Sequence, residues 1–111
     1  MHATFQVLYV IETEGKVAHR VIGFLGIYDM HPGKELWVSL VIFDARDRGK
    51  GYGKTALGLF LRFLEKDRVV NRVCCEVSPG NTGSLRFLGK LGFDVYERNH
   101  DRFLLRKILR T

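Results

Sequence analysis

The chain has 111 residues, a formal net charge of +6 and a pI near 9.6. That length fits a single domain spanning residues 1–111, which would bury roughly two-thirds of its unfolded surface in one core and has no room for a second. An apolar fraction of 46% with 27% charged residues excludes a disordered or low-complexity chain, and no apolar run approaches the ~18 residues of a membrane span.

The first strand is expected over Phe5 to Thr13, rich in Val, Ile and Tyr, closing at the turn Glu14-Gly15-Lys16. His19 to Tyr28 repeats the pattern as a second, antiparallel strand, and Asp29-Met30-His31-Pro32-Gly33 is a loop by composition. Glu35 to Phe43 is apolar on both faces beyond Trp37, which predicts a central strand. A glycine turn follows. From Tyr52 to Lys66, Ala56, Leu57, Phe60, Leu61 and Leu64 recur at the spacing of one helical face. Arg72 to Ser78 reads as a short strand, parallel to the third because a helix separates them. Asn81 is placed as the N-cap of a second helix through Leu91, with Gly92 as its C′ residue. Phe93 to Arg98 and Phe103 to Leu109 form a closing hairpin around Asn99-His100-Asp101.

Cys74 and Cys75 are neighbours on a strand and point to opposite faces, so they make poor disulfide partners. Reduced thiols, and a start at Met1-His2-Ala3-Thr4 without a basic and then apolar leader, lead us to expect a cytoplasmic protein. His2, His19, His31 and His100 fall at termini or turns with no ligand spacing among them, so no metal site is expected.

The centre of the sequence is Arg48-Gly49-Lys50-Gly51-Tyr52-Gly53-Lys54, three glycines at alternate positions where a strand hands over to a helix. Glycine adopts positive φ without a Cβ penalty, so several N–H groups can converge there, and the helix behind adds the positive end of its dipole. The physical reading is an anion cradle for phosphate or pyrophosphate. Gly53-Lys54-Thr55 matches the tail of a nucleotidase phosphate loop, but the position of its first glycine is Arg48 and the next strand lacks the magnesium-holding aspartate. Gly51-Tyr52-Gly53-Lys54-Thr55-Ala56 satisfies a dinucleotide fingerprint, with Glu76 at the place of a ribose-binding acid. Three strands precede it, however, and few residues follow.

A third reading accounts for more of the chain. Arg48-x-x-Gly51-x-Gly53 resembles the signature of the GNAT superfamily of acyl-CoA-dependent N-acyltransferases. Asn81 to Phe93, N-T-G-S-L-R-F-L-G-K-L-G-F, is similar to that superfamily's second conserved helix. The resemblance implies an α+β fold: a mixed, mostly antiparallel sheet with a central parallel strand-helix-strand crossover and two main helices. It implies acetyl-CoA or another acyl-CoA as co-substrate, without a metal. Backbone groups of Arg48, Gly49, Lys50, Gly51, Tyr52, Gly53 and Lys54 would hold the pyrophosphate. Val41, Ile42 and Phe43 would pair with the pantetheine arm, the sheet would splay beside them, and Asn81, Ser84 and Leu88 would flank the cofactor sulfur.

The implied reaction is attack of a primary amine on the thioester, which needs a base, an oxyanion donor and an acid for the leaving thiolate. Glu35 is the candidate base, or else a solvated strand end, and Ser39 shares its face. The family's usual acid is a tyrosine where this chain has Leu88, so the acid is Tyr96, Cys75 or water, or is absent. Loss of catalysis would leave a CoA-binding or regulatory module, the alternative function. Relatives also carry a strand and two helices before the second strand, and a homodimer is expected in which the partner covers the groove they wall or pairs with an open sheet edge. The positive charge suits a phosphate-rich ligand or an acidic surface, and no aromatic-basic signature points to nucleic acid.

Overall fold

The computed structural model describes residues 6–14 and 19–109. Its elements in chain order are β1 (Val7–Glu14), β2 (His19–His31), β3 (Glu35–Ile42), a 3₁₀ turn (Ala45–Asp47), α1 (Tyr52–Asp67), β4 (Arg72–Val77), α2 (Thr82–Lys90), β5 (Asp94–Arg98) and β6 (Phe103–Ile108). The six strands form one sheet in the order β1-β2-β3-β4-β6-β5, in which β3–β4 is the parallel pair. This is the mixed α+β architecture expected from the sequence. Phe5, Gly15 and Lys16, assigned to the first strand and its turn, lie outside the described residues.

One boundary needs correcting. β2 continues past Tyr28 to His31, because a bulge between Tyr28 and His31 absorbs Asp29 in a left-handed conformation, φ 46°, and pairing resumes at His31–Glu35. Aspartate tolerates that conformation better than most residues, which is why the composition resembled a loop. The turn itself shrinks to Pro32–Lys34, closed by the Lys34 N–H donating to the His31 carbonyl at 2.9 Å.

The core lies on one face of the sheet. Leu25, Ile27, Leu36, Val38, Val73, Cys75, Val77 and Leu105 meet Leu57, Leu61 and Leu64 of α1 and Leu88 of α2. Each fully buried leucine contributes ~2 kcal/mol of hydrophobic transfer. Both helices therefore sit on this face. Strand alternation places Glu35, Trp37 and Ser39 of β3, with Arg72, Cys74 and Glu76 of β4, on the opposite face. That face carries no helix among the described residues.

α2 ends as its sequence dictates. Gly92 takes φ 95°, its N–H donates to the Gly89 carbonyl at 3.1 Å, and the Phe93 N–H donates to the Leu88 carbonyl at 3.0 Å. This is a Schellman motif with its usual apolar pair, Leu88 against Phe93, both buried.

β3 and β4 pair through Glu35–Arg72, Leu36–Val73 and Trp37–Cys74 and then diverge. Beyond that point β4 follows β6, to which it pairs along its whole length from Arg72 to Val77. The divergence opens a gap in the middle of the sheet.

Candidate active site

The glycine turn is anchored from behind. Asp47, 2% exposed, accepts two hydrogen bonds from the Arg20 guanidinium of β2, at 2.8 and 2.6 Å. Those bonds hold its carboxyl below the usual aspartate range. Arg48 donates from Nε and Nη2 to the Ile42 carbonyl, at 3.2 and 3.1 Å, stapling the turn to the end of β3. The Arg48 charge thus organises the turn as well as lining its cleft.

Gly49 and Gly51 adopt φ 74° and 88°, a region that costs an L-residue roughly 1–2 kcal/mol. Gly51 is the N-cap of α1, with no side-chain cap, and the first turn of the helix carries no acidic residue. The first intrahelical bond runs from the Thr55 N–H to the Gly51 carbonyl at 2.9 Å. The N–H groups of Tyr52, Gly53 and Lys54 therefore lack the partner that a helix interior would give them. At Gly53 an added Cβ would come within 3.0 Å of the Leu40 side chain, so glycine lets the helix start lie close against β3. Uncapped donors, the helix dipole and Lys54, which lines the cleft, are the features that suit a helix end to an anion.

The turn opens onto a cleft of about 630 Å³ bounded by Val41, Ile42, Arg48, Lys54, Asn81 and Ser84. A second cavity of about 240 Å³ fills the gap between β3 and β4, lined by Ser39, Cys75, Glu76, Ser78 and Leu88. Leu40, Asn81, Ser84 and Phe87 border both, so the two join into one elongated channel. Asn81 caps α2 as expected, its Oδ1 accepting from the Ser84 N–H at 3.1 Å.

Backbone direction along β3 follows from one bond. The Phe43 N–H donates to the Ile22 carbonyl of β2 at 2.8 Å. Strand alternation then turns the backbone groups of Leu40 and Ile42 to the other edge, facing the gap. An extended arm lying in the channel would meet those groups as a strand partner. Arg48 already occupies the Ile42 carbonyl, which leaves Leu40 as the main contributor.

Of the residues singled out from the sequence, Arg48, Gly49, Gly51, Tyr52, Gly53 and Lys54 of the glycine turn, with Val41, Ile42, Asn81, Ser84, Leu88 and Ser39, come together around this channel; Lys50 lines the cavity between β1 and α1 instead. Phe43 does not line it; its ring is exposed and lies 6.0 Å from the Phe24 ring. Glu35 stands at the closed end of the β3–β4 pairing. Burial would raise its pKa, but hydrogen bonds from Arg72 and from Trp37 Nε1, the latter at 3.2 Å, outweigh that and hold it low. A carboxylate so engaged is a weak base, and it does not line the channel. Tyr96 lies on β5, separated from β3 by β4 and β6, under the Arg106 guanidinium at 4.8 Å. Burial raises its pKa, and it does not line the gap. Cys75 does line the gap, but burial pushes its thiol up to about 12, so it stays protonated and unreactive.

Sequence reasoning missed Leu40, Phe87, Ser78 and the gap-facing role of Glu76. Phe87 could have been found as the residue one helical turn after Ser84 on α2. A larger cavity of about 820 Å³ lies between β1 and α1, walled by Tyr9, Ile11, Leu59, Phe60 and Phe63, and it reaches Lys50, Gly51 and Tyr52 of the glycine turn. Away from the turn its walls are mostly apolar and offer little to a polyphosphate. No cluster of His, Cys, Asp and Glu able to hold a metal occurs among the described residues.

The family profile of the acetyltransferase (GNAT) domain matches residues 2–94. The chain belongs to the GNAT family. The N-acetyltransferase 9-like protein of Caenorhabditis briggsae is 29% identical over 87 residues, covering 72% of this chain and 44% of that protein. A domain from Methanocaldococcus jannaschii superposes with a TM-score of 0.79 at 16% identity, over 88% of this chain and 63% of that one. The PaiA N-acetyltransferase of Thermoplasma acidophilum, solved in complex with coenzyme A, gives a TM-score of 0.69 at 21% identity, over 79% of this chain and 54% of that one. The chain thus spans less than half of the curated relative and under two-thirds of these GNAT-fold structures.

Proposed function

We propose that this GNAT chain binds acetyl-CoA or a similar acyl-CoA and transfers the acyl group to a primary amine by direct attack on the thioester. The observation that carries the reading is the uncapped start of α1, opening onto a channel that runs to the split between β3 and β4. Gly49 to Lys54 hold the pyrophosphate, the gap-facing backbone of β3 takes the pantetheine arm, and the acyl group rests in the gap beside Ser39 and Leu88. The CoA-bound state of a protein of the same fold supports the choice of ligand. Bound there, acyl-CoA supplies an electrophilic thioester carbonyl, and the chain supplies orientation and exclusion of water.

A second reading, a CoA-binding module without turnover, draws support from Leu88. It is 6% exposed, committed to the core, and carries no proton where the family's usual acid would stand. A CoA thiolate is nevertheless a tolerable leaving group near neutral pH. Titrating acetyl-CoA by calorimetry and then following thiol release across a panel of amines separates the two. Binding with release supports transfer, binding without release supports the module, and no binding rejects both.

We also propose a homodimer. β1 pairs with β2 alone among the described strands, and its Leu8 and Val10 are 54% and 55% exposed. An apolar open edge of this kind favours pairing with a second copy. Sedimentation at micromolar concentration should give twice the monomer mass, and a strict monomer would reject the idea. Two free, buried cysteines fit a cytoplasmic setting, and no described helix is long and apolar enough to cross a membrane.

A further inference from the structure

An amine reaching the gap from the core side would have to displace α1 or α2. Its approach is therefore from the helix-free face, a step that rests on the acyl transfer proposed above. Strand alternation puts Trp37 and Ser39 on the β3 side of that mouth and Cys74 and Glu76 on the β4 side. Tyr28 of β2 lies directly opposite Trp37, their rings 6.2 Å apart. Among the residues lining the gap, Glu76 is the acid. Arg102, from the turn before β6, donates from Nη1 to Glu76 Oε1 at 3.0 Å. The pair is partly exposed, with side chains at 43% for Arg102 and 32% for Glu76.

We propose that Glu76 is the acceptor-recognition residue, whose carboxylate takes the protonated amine of a primary-amine acceptor while Trp37, backed by the buried Tyr28, walls its carbon body. Arg102 is a positioning residue that fixes the Glu76 side chain. Glu35, the other carboxylate on this face of β3, cannot serve, because Arg72 and Trp37 already hold it at the closed end of the strand pairing. Burial, and next the nearby Glu76 charge, push the Tyr28 phenol up to about 12, so the buried Tyr28 stays neutral. An ammonium bound to a carboxylate makes charge-assisted hydrogen bonds, stronger than neutral ones. A neighbouring aromatic face adds a cation–π attraction. The site therefore favours acceptors that arrive as cations with an apolar body over amines that are neutral in solution.

The test compares two probes by NMR titration of the acetyl-CoA-loaded protein at pH 7: phenethylamine, which is cationic, and aniline, which is neutral. Wild type should bind phenethylamine, Glu76→Gln should bind it about tenfold more weakly, and aniline binding should not change. Arg102→Gln should give an intermediate loss, and Glu76→Asp should retain more affinity than Glu76→Gln. All of these variants should still bind acetyl-CoA. Equal phenethylamine affinity in wild type and Glu76→Gln, or no phenethylamine binding in wild type, overturns the assignment. Failure of acetyl-CoA to bind would instead overturn the cofactor reading, and the amine titration would then be read on the unloaded protein with the same two outcomes.

Discussion

At the scale of single residues, conformation and charge partners decide more than residue type. Gly51 is needed because its φ of 88° is costly for any side chain. Replacing it by valine should cost roughly 1–3 kcal/mol of stability and weaken acetyl-CoA binding at least tenfold, checked by thermal melts and calorimetry together. A loss of stability with unchanged affinity would place the anion site elsewhere. Asp47 offers a pH test. Its folded pKa is depressed by the Arg20 hydrogen bonds, so its contribution to stability is present above the unfolded value near ~4 and is lost as pH falls through the folded value. Melting temperatures followed from pH 7 downward should fall below pH 4, and the fall should be shallower in Asp47→Asn. Parallel curves would mean that the Arg20 pair does not link to folding. Glu35 illustrates the limit of sequence reading at this scale. It stands at a strand start where a base could project, but Arg72, 37 residues away, determines its state. Glu76 gains its orientation from Arg102, 26 residues on. Neither partner is visible from local sequence.

At the scale of elements, the local signals were the legible ones. Glycine at alternate positions, an asparagine N-cap and a C′ glycine each act within one turn of chain, and each stands where the sequence put it. The β2 boundary misled for the converse reason, since a bulge and a loop use the same aspartate chemistry. The gap was expected from the family resemblance alone. Its physical origin lies in the longer ladder between β4 and β6, which no short window of sequence contains. α2 is the element through which folding and the channel are coupled. Asn81 caps it and also borders both cavities. Asn81→Ala should cost ~1 kcal/mol of stability and reduce acetyl-CoA affinity, with denaturant unfolding and calorimetry as the two readouts. Unchanged affinity despite lost stability would separate the cap from the cofactor site.

At the scale of the whole molecule, a one-sided arrangement follows from where the apolar residues fall. Both helices cover one face of the sheet, and the channel proposed for the cofactor borders their N-terminal ends. The other face keeps aromatic and charged side chains, the face from which the proposed amine would enter. The net charge of +6 should appear as a salt dependence: acetyl-CoA affinity should fall as ionic strength rises from 0.05 to 0.5 M, because Lys50, Lys54 and the helix dipole act partly through solvent. The most direct test of the central claim is a map of backbone amide shifts on adding acetyl-CoA. The account predicts the largest changes at Gly49 to Lys54, Leu40 to Ile42 and Asn81 to Ser84. Changes concentrated instead along Tyr9, Leu59 and Phe63, or no changes at the glycine turn, would contradict it.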